Sequence, residues 1–145
     1  MILHPICAYR TAPQTKFAAL ITKAASTIYL LDDDPSVLKS TERLLASEGW
    51  RVETFTKPDV FLHHVKNSQP RVVVIDMWMP KLNGLEVQRR LGECSPATRV
   101  IVLTANADSA VRWKALAAGA AAFFIKPAPS DEFIASIRSA FAGAS

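Results

Sequence analysis

The sequence predicts an α/β fold: an open, doubly wound parallel sheet of five strands accompanied by five helices. Three observations predict it. Short apolar runs rich in β-branched residues alternate strictly with helical stretches along the chain. The central runs are continuously apolar, as strands covered on both faces must be. Five such units are too few to close an eight-unit barrel, so the sheet stays open. The chain has 145 residues. That is room for one domain, which at this size buries roughly 70% of its unfolded surface and needs no covalent staples.

Each element has its own local reason. Thr27–Leu31 (TIYLL) is an apolar strand that runs into acids. Residues 35–48 form a helix, with Val37, Thr41, Leu44 and Leu45 on one face, Pro35 at its start and Gly49 as its stop. Residues 51–55 read as a strand, and 58–66 as a helix with Val60, Phe61 and Val65 apolar. Val72–Ile75 (VVVI) is a buried strand that again ends in an acid. A helix over 84–91 follows, then a strand over 100–103 (VIVL) ending at Thr104. Residues 109–118 form a helix closed by Gly119, and 121–125 a strand leading into Lys126-Pro127. The last helix, 130–141, is capped by Ser130 and carries Asp131 and Glu132 in its first turn, where the helix dipole favours acids.

Composition excludes several classes. Hydrophobic residues make up 50% and charged residues 21%, a globular balance. No apolar run reaches the roughly 18 residues of a membrane span. The two cysteines, Cys7 and Cys94, form no disulfide framework or metal-ligand pair. This fits a reducing, cytoplasmic setting. Net charge is +4, but residues 1–25 contribute Arg10, Lys16 and Lys23 without an acid. The remainder carries 14 basic and 13 acidic residues, so it gives no electrostatic sign of direct nucleic-acid binding. The expected organisation is an N-terminal extension over 1–25, one domain over 26–142 and a tail over 143–145. Within the extension, Phe17, Leu20, Ile21 and Ala24 fall at the spacing of one amphipathic helix.

In open α/β sheets, ligands bind beyond the carboxyl ends of the strands. Strand one ends in Asp32-Asp33-Asp34, strand three in Asp76, strand four in Thr104 and strand five in Lys126. Carboxylates gathered at one edge need a counter-ion. Hard oxygen ligands suit Mg²⁺, which binds few protein groups and takes phosphate oxygens for the rest. A lysine and a hydroxyl beside them complete a pocket for a phosphoryl group. The set reads as magnesium-assisted phosphoryl transfer to an aspartate.

From about residue 27 to 142 the chain resembles the receiver domain of two-component response regulators. The resemblance lies in LLDDDPSV, VVVIDMWMPKLNGLE, VIVLTANAD and AAGAAAFFIKPAPSDEF. Their spacing agrees: 43 residues from Asp33 to Asp76, 28 from Asp76 to Thr104 and 50 from Asp76 to Lys126. The resemblance implies a flavodoxin-like sheet of order 2-1-3-4-5. It also implies that Asp76 accepts a phosphoryl group from a histidine kinase or a small phosphodonor. Asp32, Asp33 and Asp76 would bind Mg²⁺ with the backbone carbonyl of Trp78, Asp33 being the more direct ligand of the pair. Lys126 would pair with Asp76 and then with the phosphoryl group. Thr104 would move to bond the phosphoryl, with Phe123 as its aromatic switch partner. Lys126-Pro127 would be cis, and Pro80 and Gly84 would shape the loop after the acceptor. Trp78 and Asn106 fall where the family tunes hydrolysis of the phosphoryl group. The domain would be a switch with self-phosphorylation and weak autophosphatase chemistry, not a metabolic enzyme. Its partners would be a sensor kinase or phosphotransfer protein, and a second copy through helix 4, strand 5 and helix 5.

Other polar residues read as ordinary. Asp34 before Pro35 is a helix cap. His63 and His64 are adjacent and cannot share a helix face. Cys94 sits in a loop. Trp113 is either packed or an exposed contact residue. One alternative is a haloacid-dehalogenase-like phosphatase, with Asp32 as nucleophile and Asp34 as acid/base. It lacks a late acidic motif and leaves Asp76 unexplained. A phosphorylation-independent receiver is the other alternative, though the intact acids, threonine and lysine oppose it. No helix-turn-helix follows residue 142, so the output would be protein contact or a further domain.

Overall fold

The computed structural model describes residues 27–79, 82–105 and 107–143. The N-terminal extension, Pro80, Asn106 and the last two residues lie outside the described residues. Five strands and five helices alternate: β1 Thr27–Leu31, α1 Pro35–Ser47, β2 Arg51–Phe55, α2 Pro58–Ser68, β3 Val72–Ile75, α3 Gly84–Cys94, β4 Arg99–Thr104, α4 Ser109–Ala117, β5 Ala122–Ile125 and α5 Ser130–Gly143. The strands form one sheet of order β2-β1-β3-β4-β5, and every neighbouring pair is parallel.

Handedness explains which helix lies where. The chain leaves β1 outward to β2, then crosses back over β1 to β3 and continues to β5. Parallel crossovers are right-handed, so reversing direction moves the connecting helices to the opposite face. On one face, Leu38 and Leu45 of α1 and Phe133, Ile137 and Ala140 of α5 pack on Ile28, Leu30, Val72, Val74, Ile101 and Leu103. On the other, Phe61, Val65, Val87, Leu91 and Ala115 from α2, α3 and α4 pack on Tyr29, Leu31, Val73, Ile75, Val100 and Val102. Alternate residues of each strand serve opposite faces, the period-two rule, while every position of β1 and β3 is buried. At the β2 edge, Arg51, Glu53 and Thr54 are exposed, which discourages pairing with another sheet.

Helix ends follow the sequence signals closely except at α5, where Ser130, expected as the cap, is the first helical residue and the Pro129 carbonyl accepts the first helical bond, from the Phe133 N–H at 3.0 Å. Asp34 caps α1, accepting from the Ser36 N–H at 2.9 Å, and Pro35 starts the helix. Asn83 and Asp108 cap α3 and α4 in the same way. Gly49 and Gly119 take left-handed φ values of 97° and 104° just beyond α1 and α4, as terminators. The structure carries α2 on to Ser68 and α3 on to Cys94, beyond the lengths that periodicity predicts. Gln69 takes the left-handed position after α2 without being glycine, with φ 50°. Its side-chain amide compensates by donating to Lys66 O at 3.0 Å and to Cys94 O at 2.8 Å. Those bonds span two helix ends, which no local pattern reveals.

Candidate functional site

The switch point of this sheet lies between β1 and β3, from which the chain departs in opposite directions. Leu31 is in register with Ile75. The next residues, Asp32 and Asp76, therefore emerge side by side at the carboxyl edge. The Asp76 N–H is tied to Leu31 O at 3.0 Å, and the Asp32 N–H to Phe55 O at 3.1 Å. Both acids are 5% exposed, whereas Asp33 points into solvent. One carboxylate oxygen from each of Asp32, Asp33 and Asp76 lies within 4.8 Å of the other two. Three hard oxygens at that spacing match the donor chemistry that Mg²⁺ requires.

Lys126 enters from the end of β5. Its N–H bonds to Thr104 O at 2.8 Å, which fixes the lysine beside β4. The Lys126–Pro127 peptide is cis, as expected. The ammonium lies 2.5 Å from Asp32 Oδ2 and 3.4 Å from Asp76 Oδ2. The sequence reading paired Lys126 with Asp76; the structure keeps that pair and adds a tighter one with Asp32. Which acid the lysine favours depends on how β1, β3 and β5 are placed relative to one another, so composition and spacing held no signal for it.

The electrostatics follow from burial. Desolvation pushes the Asp32 carboxyl above its ordinary range, against the opposing hydrogen bonds from Lys126 and the Asp34 N–H; the neighbouring Asp76 charge adds to the rise. Burial also works against the Lys126 ammonium. Its hydrogen bond to Asp32 and the charges of Asp76 and Asp32 outweigh that, so its pKa rises too and the lysine stays charged. Asp76 Oδ1 accepts from the Trp78 N–H at 3.2 Å, which orients the carboxylate.

Thr104 is fully buried at the end of β4. Phe123 is 8% exposed, inside the core shared with α4, and the Arg112 guanidinium lies 5.9 Å from its ring centre. Trp78, two residues beyond Asp76, is 59% exposed, and Trp113 is 71% exposed on α4. Trp113 is thus an exposed contact candidate and not a packed core residue. Asp34 is turned to its capping role and lies outside the carboxylate cluster. An acid/base role for it beside Asp32 has no support in that geometry. His63, bonded to Asn67, and His64 are exposed and stand apart from the site.

Gly84 lies against the loop that follows β3. A Cβ there would lie 2.6 Å from Asp76 O and 2.7 Å from Met77 Cα. The first turn of α3 lies directly against the backbone of Asp76 and Met77, and the Gly84 N–H bonds Met77 O at 3.1 Å. Two openings flank the site, one lined by Asp33 and the other by Lys126. A cleft lined by Asp33, Lys57, Met79, Leu82 and Arg90 opens on one side. A groove lined by Val37, Leu44, Lys126, Pro127 and Phe133 opens between α1 and α5.

Comparison with known proteins places this geometry. A family model described as the response regulator receiver domain matches residues 28–138. The response regulator protein TodT of Pseudomonas putida is 40% identical over 116 residues, covering 80% of this chain and 51% of its own length. TmoT of Ectopseudomonas mendocina is 36% identical over 115 residues, covering 79% and 52%. The chain therefore spans about half the length of these curated relatives. Among solved structures, a response regulator receiver protein from Burkholderia phymatum is 39% identical with a TM-score of 0.70, covering 80% of this chain and 94% of its own. The beryllofluoride-activated NtrC4 receiver domain dimer is 29% identical with a TM-score of 0.79, covering 83% and 99%.

Proposed function

The chain belongs to the family of response regulator receiver domains, the switches of two-component signalling; on that premise we propose that Asp76 accepts a phosphoryl group from a sensor histidine kinase or phosphotransfer protein, with Mg²⁺ held by Asp32, Asp33, Asp76 and the Trp78 carbonyl. The observation that carries this reading is the buried Asp76 carboxylate, oriented by a backbone N–H and facing a charged lysine within an acidic cluster.

The chemistry uses the chain's own groups. A carboxylate oxygen of Asp76 attacks the phosphorus of a phosphohistidine. The O–P bond forms as the P–N bond breaks, and the electron pair leaves on the imidazole nitrogen. When bound, Mg²⁺ offsets repulsion between the phosphoryl oxygens and the three carboxylates. Lys126 stays protonated throughout and turns from Asp32 and Asp76 toward a phosphoryl oxygen. The Thr104 hydroxyl donates to another phosphoryl oxygen, and Phe123 repacks against the space that the threonine leaves. The phosphorylated site carries more negative charge than the carboxylate did, which shifts the balance between two conformations. Autophosphatase turnover would be slow, and the working compartment is the cytoplasm.

The exposed side chains of Trp113, Leu116 and Ile125 lie on α4 and at the end of β5. An apolar set of this kind suits a protein partner or a second copy, through the face made by α4, β5 and α5. The output of a longer regulator would act from there.

Intact-mass spectrometry tests the central claim. Purified protein incubated with Mg²⁺ and a small acyl phosphate should gain one phosphoryl group. The gain should vanish in Asp76→Asn and in excess chelator. An unmodified wild-type mass with the fold intact, or labelling that survives Asp76→Asn, would overturn it. Steady phosphomonoester turnover lost in Asp32→Asn but kept in Asp76→Asn would instead favour the phosphatase alternative.

A further inference from the structure

Gln88 lies in α3 and is 4% exposed. Its side-chain amide donates to the backbone carbonyl of Ala115 in α4 at 2.8 Å. Its other end is different: Oε1 is buried without a hydrogen-bond partner, alone among the buried side-chain nitrogen and oxygen atoms of the described residues. Buried polar groups are overwhelmingly paired, and an exception calls for a physical reason.

The surroundings narrow that reason. Ala115 O also accepts from the Ala120 N–H at 3.0 Å, so the carbonyl does not depend on Gln88. A methionine of similar shape would fill the site without an orphaned acceptor. One ordinary hydrogen bond is worth less than an unpaired buried acceptor costs. The element that Gln88 touches is the one held most lightly: α4 buries only Ala115, whereas α3 buries four residues and α5 three. Elements with few buried contacts are the ones that move at low cost.

We propose that Gln88 is a positioning residue that preloads α4, leaving the conformation seen here one hydrogen bond short and lowering the cost of the arrangement that an occupied Asp76 site selects. In that second arrangement Oε1 receives a donor. The inference rests on the receiver reading and adds to it the residue that sets how much occupancy is needed to move α4.

The three tryptophans allow a direct test in the full chain: Trp78 beside the site, Trp113 on α4 and Trp50 elsewhere. In 5-fluorotryptophan-labelled protein with fixed Mg²⁺, beryllofluoride serves as the probe for the phosphoryl group. Fluorine resonances are assigned by single Trp→Phe changes. Wild type and Gln88→Met should both show a Trp78 response. The beryllofluoride midpoint of the Trp113 change should rise about 5- to 100-fold in Gln88→Met, the range spanned by an unpaired buried acceptor. Gln88→Glu keeps the length but sets an acceptor against Ala115 O, so its midpoint should fall. An unchanged midpoint in Gln88→Met means that Oε1 is satisfied in solution, for instance by a bound water, and overturns the inference. A lowered midpoint means that Gln88 merely clamps α4, which also overturns it. An absent Trp78 response in wild type would overturn the receiver reading, and this inference with it.

Discussion

Replacing Gly84 by alanine adds one methyl group where α3 meets the acceptor loop. An added Cβ would sit 2.6 Å from Asp76 O, 2.7 Å from Met77 Cα and 2.7 Å from Met77 Cε. The methionine methyl can swing aside, but the two backbone atoms cannot. Relief requires the acceptor loop and the start of α3 to part by roughly half an ångström to one ångström, against the Gly84–Met77 hydrogen bond. Overpacking of this kind costs about 1–3 kcal/mol. The helix-propensity gain of alanine over glycine, at most about 1 kcal/mol and smaller at a first-turn position, offsets only part of it. The kinetic effect should be larger. A displacement near 1 Å of a reacting group can cost on the order of 100-fold in rate, so phosphorylation of Asp76 should slow by about 10- to 100-fold. Gly92 supplies the control within the same helix. A Cβ there meets nothing within 4 Å, so Gly92→Ala should stabilise by up to about 1 kcal/mol and leave the rate alone. Urea midpoints and time-resolved intact mass with an acyl phosphate measure both quantities. If Gly84→Ala retains wild-type stability and rate, or behaves like Gly92→Ala, the argument that Gly84 sets the acceptor's position is wrong.

Four further outcomes are expected. Trp78→Ala tests whether the indole shields the Asp76 site from water, with loss of the phosphoryl group expected to speed severalfold; an unchanged half-life by mass spectrometry would remove that role. Asp34→Ala should cost about 1 kcal/mol in urea melts through loss of the α1 cap, while Asp76 still labels at close to the normal rate; loss of labelling would return Asp34 to the chemistry. Trp113→Ala should weaken phosphorylation-dependent association, read by analytical ultracentrifugation with and without beryllofluoride, and unchanged association would leave Trp113 without that function. Glu86 is held down to about 2 by its hydrogen bonds with Arg89 and Arg90. Because its folded pKa lies below the unfolded value, its contribution to stability is present above about 4.5 and is lost as pH falls toward 2. The difference in urea midpoint between wild type and Glu86→Gln should accordingly be small at pH 7, shrink below pH 4.5 and diminish in high salt; a difference that grows on acidification would reverse the sign of this argument.

Local physics explains why so much was legible along the chain. The runs VVVI and VIVL announce doubly covered strands because no polar residue interrupts them. Asp34-Pro35 announces a helix start because the Asp34 side chain bonds the Ser36 N–H two residues away; the structure shows Asn83 and Asp108 capping α3 and α4 in the same way. The acids after β1 and β3, the threonine that ends β4 and the lysine after β5 could be placed at one edge because the carboxyl ends of parallel strands share it. The lengths of α2 and α3 were less legible. Gln69 ends α2 by bonding across to Cys94 O, a partner 25 residues away.

By itself the sequence determined the alternation of elements, the burial of the central strands and the residue types brought to the carboxyl edge. Each of these depends on contacts a few residues long or on side-chain chemistry alone. Tertiary structure decided what depends on how separate elements meet. Strand order and register place Asp32 against Asp76. The path of the chain out of β5 brings Lys126 closer to Asp32 than to Asp76. The packing of α3 against the loop after β3 leaves no room for a Cβ at Gly84, and the meeting of α3 with α4 sets the surroundings of the buried Gln88 amide. No sequence window contains those distances, because each is set by the relative placement of two elements that the core positions together.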